Sequence, residues 1–216
     1  MGGDKSGDAT ASASRDSAGD TPQPAPGKPV RRLDARSLRG LAHPLRMSIL
    51  ELLTLDGPAT GTALAARLGE NTGTVSWHLR HLAEHGFIEE EAGRGTKRER
   101  WWKVVDETKV LETAEFRDDP ATRGALSVYL HEIVQQYFNR VTTYLSESWD
   151  EEWQRAGTLS DRRDLRLTAQ QLTAMNAELL EVIARHATAP GERPEPGALP
   201  VVVQLQSFPR KERGTA

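Results

Sequence analysis

Side chains that can bind nucleic acid are concentrated in one short stretch near the middle of the chain. Hydroxyl, imidazole, indole and guanidinium groups recur there at spacings that place them opposite an apolar helical face. Hydroxyls and free N–H groups at a helix N-terminus can bind phosphates, and imidazole and guanidinium groups can donate to base edges in a major groove. The candidate residues are Thr72, Thr74, Ser76, Trp77, His78, Arg80 and His81.

Several of these candidates have an alternative role that the sequence leaves open. The hydroxyls can cap the helix N-terminus instead of contacting phosphate. Trp77 can contact thymine methyl groups or pack on the sugar backbone. His81 and His85 lie four residues apart on one helical face, which could bind zinc, although such a pair is more often solvated.

A second group of cations follows this stretch. Gly93 and Gly95 flank a single arginine, which is typical of a hairpin tip. We expect the cations of this hairpin to contact phosphate or the adjacent minor groove, and the alternative is a solvated loop. The glutamates at 89–91 on the facing strand could pair with them and reduce the positive field. The candidate contacts are Arg94, Lys97, Arg98 and Arg100, with Lys103 on the returning strand.

The elements that must position these groups are predicted by apolar periodicity and turn residues. Leucine and isoleucine repeat at three- and four-residue steps after Asp34, which predicts helix. Pro44 interrupts this segment early, so we expect a short turn or kink before a helix from Leu45 to Leu55. Asp56-Gly57-Pro58 then ends that helix.

Two further helices are predicted to carry the candidate residues. Thr60 is placed to cap the first of them, and Gly69 is placed to end it. Asn71 or Thr72 is placed to cap the next helix, which runs to about His85. The buried side of that helix is expected to hold Val75, Leu79 and Leu82.

A β-hairpin is predicted directly after the third helix. One strand begins at Phe87, a turn occupies residues 92–95, and a second strand runs over residues 100–105. Trp101 and Trp102 alternate faces, so one should cover the core and the other should lie nearer solvent. Helix, helix, tight turn, helix and β-hairpin together indicate a winged helix-turn-helix domain.

Residues 34–105 resemble the ArsR-type winged-helix transcriptional regulators. The resemblance is carried by Val75-Ser76-Trp77-His78-Leu79-Arg80-His81-Leu82 followed by Gly86-Phe87-Ile88. It implies a dimeric, bacterial-type repressor or activator that binds a palindromic operator. It leaves two roles open for His78, a DNA contact or a structural hydrogen bond at the helix–turn junction. Trp77 stands where this family usually has a polar residue.

Charge is distributed unevenly along the chain. The 216 residues include 28 Lys+Arg and 31 Asp+Glu, a formal net charge of −3. Residues 1–30 carry −1, residues 31–105 carry +3 and residues 106–216 carry −5. The basic part therefore coincides with the predicted winged helix. Since the excess is small, we expect DNA binding to depend on specific contacts and dimer geometry more than on bulk attraction.

The segments that flank the winged helix have a different composition. Residues 1–30 contain few large apolar side chains and are expected to be a disordered tail. A broad apolar helix begins at about Thr122, and Thr168-x-x-Gln171 has the spacing of a capping box that opens another helix. We therefore expect residues 107–216 to be a helical dimerisation region.

The last apolar run predicts a terminal strand over residues 201–208. An isolated strand is not stable, so it should pair with the 101–105 region or with a twin chain. The sequence does not decide whether this region only makes a dimer or also encloses a pocket for a small-molecule effector.

Several functions lack the residues that they need. Without cysteine the chain has no disulfide, no thiol nucleophile and no thiolate metal site, which removes the thiolate branch of metal sensing in the family it resembles. His131-Glu132 is not followed by the second histidine of a zinc hydrolase motif, because residue 135 is Gln. We therefore expect no catalytic site, no metal and no cofactor. No apolar run approaches the roughly 20 residues of a membrane span, so we expect a soluble, cytoplasmic protein.

The predicted fold class is mainly α with a small β component (α+β). A winged helix-turn-helix domain over residues 31–106 precedes the helical region with its terminal strand. The predicted function is sequence-specific binding of double-stranded DNA by a homodimeric transcriptional regulator on an inverted-repeat operator. The alternative is a winged-helix protein-interaction module that recruits a partner through the apolar C-terminal helix. One continuous basic face over residues 72–100 would favour the first.

Overall fold

The computed structural model of the chain describes residues 29–94, 99–187 and 193–211. Helices alternate with short strands up to residue 110, and helices separated by irregular segments follow. In chain order the elements are β1 (Val30–Arg32), α1 (Ala35–Leu41), α2 (Pro44–Leu55), β2 (Ala59–Thr60), α3 (Gly61–Leu68), α4 (Thr72–Glu84), β3 (Ile88–Glu90), β4 (Trp101–Val104), β5 (Thr108–Val110), α5 (Thr113–Arg117), α6 (Pro120–Ser146), α7 (Glu151–Ala156) and α8 (Ala169–Arg185).

The first periodic segment forms two helices, and Pro44 explains the break. Proline lacks an N–H donor and has a fixed φ, so it is favoured at the first position of a helix and disfavoured inside one. Pro44 begins α2, and His43 caps it by accepting from the Leu45 N–H on Nδ1 at 3.1 Å. The predicted interruption before Leu45 is therefore confirmed as a helix boundary.

The pair α3 and α4 forms the helix-turn-helix, and local signals fix its ends. Thr60 caps α3 by accepting from the Ala63 N–H at 3.2 Å, and Gly69 ends it with φ of +66°. That φ lies in the left-handed region, where glycine has no steric penalty. Asn71 then caps α4 by accepting from the Thr74 N–H at 2.7 Å, so the cap is Asn71 rather than Thr72.

The wing is a three-stranded antiparallel sheet in the order β2-β4-β3. Ile88 lies opposite Val104, and Ala59 lies opposite Trp102. Trp102 faces the core and is buried, whereas Trp101 on the other face is partly exposed. The predicted hairpin and the alternation of its two tryptophans are confirmed.

A parallel pair of strands, β1 and β5, joins the two ends of the winged helix. Val30 lies opposite Thr108, and Arg32 lies opposite Val110. The predicted disordered tail includes Val30, which is wrong because this residue belongs to β1. Residues 1–28 of the predicted tail lie outside the described residues.

One apolar core holds α2, α3, α4 and the wing together. Side chains from all of these elements are almost completely buried, and a smaller cluster of Leu38, Phe116 and Leu126 joins α1, α5 and α6. The principal core residues are Leu41, Ile49, Leu64, Val75, Leu79, Leu82, Phe87 and Ile88.

The C-terminal region contains the predicted long helix and the predicted capping box. The helix α6 spans 27 residues, and Thr168 with Gln171 forms both hydrogen bonds of the box at the start of α8. Among the described residues, no side chain after Leu126 is buried. No described helix is long and apolar enough to cross a membrane.

The predicted strand over residues 201–208 is wrong, because this segment is irregular in the structure. Within the chain it cannot join the 101–105 region, since both edges of β4 are occupied by β2 and β3, and pairing with a twin chain stays a prediction. Side chains anchor it to helices instead. The Gln204 amide donates to the Tyr137 carbonyl at 3.3 Å, and the Ser207 hydroxyl lies 2.5 Å from Asn176 Oδ1.

Candidate nucleic-acid interface

A cleft of about 290 Å³ lies between the N-terminal ends of α3 and α4 and the returning strand of the wing. A helix N-terminus has a positive dipole end and N–H groups without a partner in the helix, and Thr60 and Asn71 each accept from one such N–H here. Such a concave surface, with hydroxyls and guanidinium groups, can bind a phosphate backbone. The polar residues that line it include Thr60, Thr62, Thr72, Ser76, Arg80 and Arg100.

Three of the predicted site residues form one stripe on α4. Thr72, Ser76 and Arg80 follow each other at four-residue steps, are exposed, and line the cleft. The Arg80 Nε–H donates to the Ser76 carbonyl at 3.3 Å, which directs the side chain along the helix. Thr74 lies outside this stripe and is partly buried.

Trp77 and His81 form a stacked pair beside this stripe. Their ring centroids lie 5.4 Å apart with an interplanar angle of 13°, and Trp77 is 52% exposed. The His81 ring also lies 4.4 Å from the His85 ring. Within the described residues, no group of three or more side chains of the metal-binding types could hold a metal ion.

The prediction that His78 lies on the exposed side of α4 is wrong. Its side chain is only 5% exposed, and its ring lies 4.5 Å from the ring of His43. Val75, His78, Leu79 and Leu82 occupy positions i, i+3, i+4 and i+7, which is the inward face of a helix. The polar type of the residue favours exposure, whereas its spacing places it inside. His78 is therefore not a candidate for DNA contact.

Four basic side chains meet between the start of α2 and α4, and we call His43, Arg46, His78 and His81 the base cluster. Arg46 and His78 are buried, whereas His43 and His81 are partly exposed. Burial, together with the neighbouring His43 and Arg46, lowers the pKa of His78 to about 4. Burial also lowers the pKa of His43, Arg46 and His81. Arg46 donates to the Arg39 carbonyl at 3.0 Å, but its Nε and the His78 Nδ1 have no hydrogen-bond partner among the described residues.

The cations of the wing are paired with the glutamates of the facing strand. Lys103 lies 3.3 Å from Glu89, and Arg100 lies 3.8 Å from Glu90. Arg94 lies 3.4 Å from Glu91, and its guanidinium covers the Trp101 ring at 4.1 Å. The pairing expected across the hairpin is confirmed.

This pairing reduces the positive charge that the wing presents. Lys97 and Arg98, the other predicted contacts of the hairpin tip, lie outside the described residues. The continuous basic face expected of a DNA binder is therefore absent from the described part of residues 72–100. Binding through this surface must depend on the placement of individual donors more than on a broad positive field.

Three polar lining residues, Thr60, Thr62 and the acidic Glu99, are absent from the set predicted by sequence. Thr62 lies exposed near the start of α3 and contributes a hydroxyl to the cleft. The sequence could have indicated Thr62, since Thr60-Gly61-Thr62 lies at a predicted helix N-terminus. No pattern in the sequence predicts how closely α3 approaches α4. A Cβ added at Gly61 would lie 3.3 Å from Leu79 Cδ1, so the small residue permits this contact.

The helix-turn-helix also matches a known family. Residues 41–91, about a quarter of the chain, match a helix-turn-helix domain family. This match and the described elements define the fold as that of a winged helix-turn-helix DNA-binding regulator. No protein of curated function matches the chain.

Solved structures of regulators are similar to parts of the chain. The winged helix-turn-helix domain of Mb0332 from Mycobacterium bovis, a homodimeric fragment of a possible ArsR-family regulator, is 30% identical with a TM-score of 0.29. The match covers 32% of this chain and 61% of that one, so the chain spans less than two thirds of that structure.

Two further structures have lower identity. Reduced HlyU from Vibrio cholerae is 19% identical over 45% of this chain and 84% of that one, with a TM-score of 0.29. NMB1585, a MarR family regulator from Neisseria meningitidis, is 19% identical over 66% of this chain and 80% of that one, with a TM-score of 0.30. Since these TM-scores are below 0.5, the fold assignment depends on the described elements and on the family match.

The base cluster predicts that the folded protein loses stability in mild acid. The pKa of His78 is lower in the folded state, about 4, than the ordinary value of 6.5. The unfolded chain therefore binds the proton first, and stability falls as pH decreases from about 6.5 to about 4. Between pH 7.5 and pH 5 the His78 contribution should be about 2 kcal/mol at most. Urea unfolding at the two pH values measures it.

Two variants make this measurement specific. His78→Leu removes the titrating group from a buried position, so the difference between the two pH values should shrink. His131→Gln alters an exposed histidine on α6 and should leave the difference unchanged. An equal pH dependence in wild type and His78→Leu would contradict the prediction.

Proposed function

We propose that the chain is a transcriptional regulator that binds double-stranded DNA in a sequence-specific manner. The observation that carries this proposal is the cleft, where the stripe Thr72, Ser76 and Arg80 of α4 faces the start of α3 and the wing residue Arg100. An α-helix fits the major groove of B-DNA, and a wing beside it reaches the adjacent backbone. Arg80 of the exposed stripe then reads a base edge, while the N-terminal end of α4 holds phosphate.

The predicted contacts other than the buried His78 have the following roles in this arrangement. Arg80 is the candidate for reading a base, because a guanidinium can donate twice to guanine. Thr72 and Ser76 are candidates for phosphate, and Trp77 is placed to contact a thymine methyl group or sugar. Arg94 and Arg100 contact phosphate when DNA replaces their glutamate partners. Lys97, Arg98, Thr74 and His81 complete the set of candidates.

We infer that the regulator acts as a homodimer, which the C-terminal region supports. Of the nineteen exposed large apolar residues in the described part of the chain, sixteen lie between Val128 and Phe208. With about half of each side chain exposed, they present on the order of 1,000 Å² of apolar surface, which exceeds the ~800 Å² that each partner contributes to an ordinary interface. A partner surface is needed to remove this area from water.

The outer side of α6 is the surface proposed for this contact. Val134, Phe138, Val141 and Leu145 follow each other at alternating steps of four and three residues, and we call them the outer seam. This is the spacing of a helix that packs against another helix. Arg140 is the only charged residue between Val134 and Leu145 in the sequence, and it pairs with Glu51 of α2. A second copy therefore meets the seam without like-charge repulsion. A two-fold dimer matches an inverted repeat with half-sites about one helical turn apart.

The alternative function uses the same surface. A protein-interaction module would cover the outer seam with a different protein, and it would leave the polar stripe of α4 without a role. The match to a helix-turn-helix family does not favour it. Control by a small-molecule effector gains no support from the cleft between α2 and α6, whose volume of about 130 Å³ is below the ~300 Å³ of a typical ligand pocket.

Substitution of Arg80 tests the reading of DNA. Duplexes are first selected from a random-sequence pool with the full-length protein, and affinity for the selected duplex is then measured by fluorescence anisotropy. Arg80→Ala should weaken binding by about 10- to 100-fold, because it removes a base contact. Arg123→Ala, which removes the same charge from an exposed site on α6, should change affinity little. The assignment fails if no duplex is enriched or if the two variants behave alike.

The glutamates of the wing provide a second test of the DNA surface. Glu89→Gln, Glu90→Gln and Glu91→Gln together release the three paired cations, so affinity for any duplex should rise roughly tenfold and fall more steeply with salt. Glu147→Gln, Glu151→Gln and Glu152→Gln make the same change of charge beyond α6 and should have a much smaller effect. Equal gains in the two triple variants would show that net charge alone is responsible.

Charges placed in the outer seam test the dimer. Phe138→Asp with Leu145→Asp should convert the sedimentation coefficient from that of a dimer to that of a monomer, since two copies would bury four carboxylates. Leu55→Asp, at an exposed apolar residue of α2, should leave the dimer intact. A dimer that persists in the double variant contradicts the proposed interface, and a wild-type monomer contradicts the homodimer itself.

A further inference from the structure

The side chain of Arg31 reaches from β1 to the C-terminal end of α4. Its Nη2 donates to the His85 carbonyl at 2.6 Å, and its Nη1 donates to the Gly86 carbonyl at 2.9 Å. Carbonyls at a helix C-terminus have no partner within the helix and carry partial negative charge. A guanidinium from another element of the fold therefore caps the helix that carries the DNA-reading stripe.

The same guanidinium joins three other parts of the winged helix. Nη2 also donates to the Ser37 hydroxyl of α1 at 3.2 Å, and Nη1 donates to Glu107, between β4 and β5, at 3.3 Å. The guanidinium carbon lies 4.7 Å from the centre of the Phe87 ring, at the start of the wing. Arg31 thus fixes the end of α4 relative to both α1 and the wing.

Close packing holds the same end of α4 from another side. A Cβ added at Gly40 of α1 would lie 2.5 Å from the His85 ring, so the two elements touch without space for a side chain. Gly86 then turns the chain into β3 with φ of +69°, in the left-handed region. The C-terminal end of α4 is therefore held by a close contact, a tight turn and the Arg31 hydrogen bonds.

We propose that Arg31 is a positioning residue for DNA recognition, which sets the orientation of α4 without touching DNA. This inference rests on the proposed function. The helix α4 has 13 residues and is therefore about 20 Å long. A rotation of about 10° at its C-terminal end displaces the N-terminal end by roughly 3 Å, which is as long as a hydrogen bond. The same rotation moves Arg80, the candidate base contact about 8 Å from His85 along the axis, by roughly 1 Å, and it moves the phosphate candidates Thr72 and Ser76 further, so the Arg31 contacts control how α4 meets DNA.

If Arg31 has this role, its removal should reduce the ability to distinguish DNA sequences rather than the general electrostatic attraction to DNA. Non-specific binding depends on phosphate neutralisation and tolerates small changes in the angle of a helix. Specific binding depends on donors that meet base edges within a few tenths of an ångström. Removal of Arg31 should therefore weaken specific binding more than non-specific binding.

Arg32 provides a matched control on the same strand. It carries the same charge, and its side chain pairs with two glutamates. Glu112, just before α5, lies at 3.5 Å, and Glu115, on α5, lies at 3.3 Å. Arg31→Ala and Arg32→Ala each remove one guanidinium from β1, but only the first removes the contacts with α4. The comparison separates an effect on the orientation of α4 from an effect on net charge.

The experiment compares affinity for the selected duplex with affinity for a scrambled duplex of the same composition. Arg31→Ala should lower the ratio of these affinities about tenfold, with a salt dependence like that of wild type, whereas Arg32→Ala should leave the ratio within about twofold of wild type. A ratio that falls equally in both variants, or that stays unchanged in Arg31→Ala, overturns the proposal.

Amide hydrogen exchange gives a readout that needs no DNA. Exchange at residues 85–88 should be faster in Arg31→Ala than in Arg32→Ala, and equal exchange overturns the proposal even if wild type enriches no duplex. Arg31→Lys keeps the charge but lacks the planar guanidinium that donates to two carbonyls. This variant replaces Arg31→Ala in the comparison if Arg31→Ala does not fold. Its ratio of affinities should fall between those of wild type and Arg31→Ala, and a ratio equal to that of wild type counts against positioning.

Discussion

Burial of the inner face of α4 is the constraint on which the winged helix depends. Val75, Leu79 and Leu82 are almost completely removed from water, and each such side chain contributes about 1.5–3 kcal/mol to folding. They contact the core formed by α2, α3 and the wing, so the packing that stabilises the domain also decides which face of α4 is buried. The outward stripe is therefore presented to solvent because the opposite face cannot turn away from the core.

Most of the described positive charges around α4 are buried or paired, so they produce only a weak electrostatic field at a distance from the protein. Burial lowers the pKa of the three histidines of the base cluster, while the described cations of the wing are paired with Glu89, Glu90 and Glu91. Exposed ion pairs are weak and can exchange partners at little cost. DNA can replace the glutamates locally, but a duplex of any sequence meets only a modest field. The structure thus favours recognition by placed donors over attraction by net charge.

The C-terminal region has the opposite problem, because it has apolar surface and no core of its own. The inner side of α6 packs on α1 and α2, where Arg140 pairs with Glu51 at 2.5 Å. The outer seam, α8 and the segment over residues 201–208 remain without a buried side chain among the described residues. A two-fold contact through the outer seam would bury this surface. The same contact would set the distance between the α4 helices of the two copies.

Local sequence is sufficient to predict the elements of the winged helix and most of their ends. Thr60, Gly69, Asn71 and Pro44 act through contacts within four residues, and the apolar spacing within each helix is equally local. The exposed stripe of α4 follows from the same spacing. The choice of which elements meet is different, because it depends on the assembled fold. Packing places His78 inside, pairs β1 with β5, leaves residues 201–208 without a strand partner, and brings Arg31 to the end of α4. These contacts join residues separated by tens of positions in the chain. No local pattern encodes such a contact, because its stability comes from a surface that exists only after the other elements have packed.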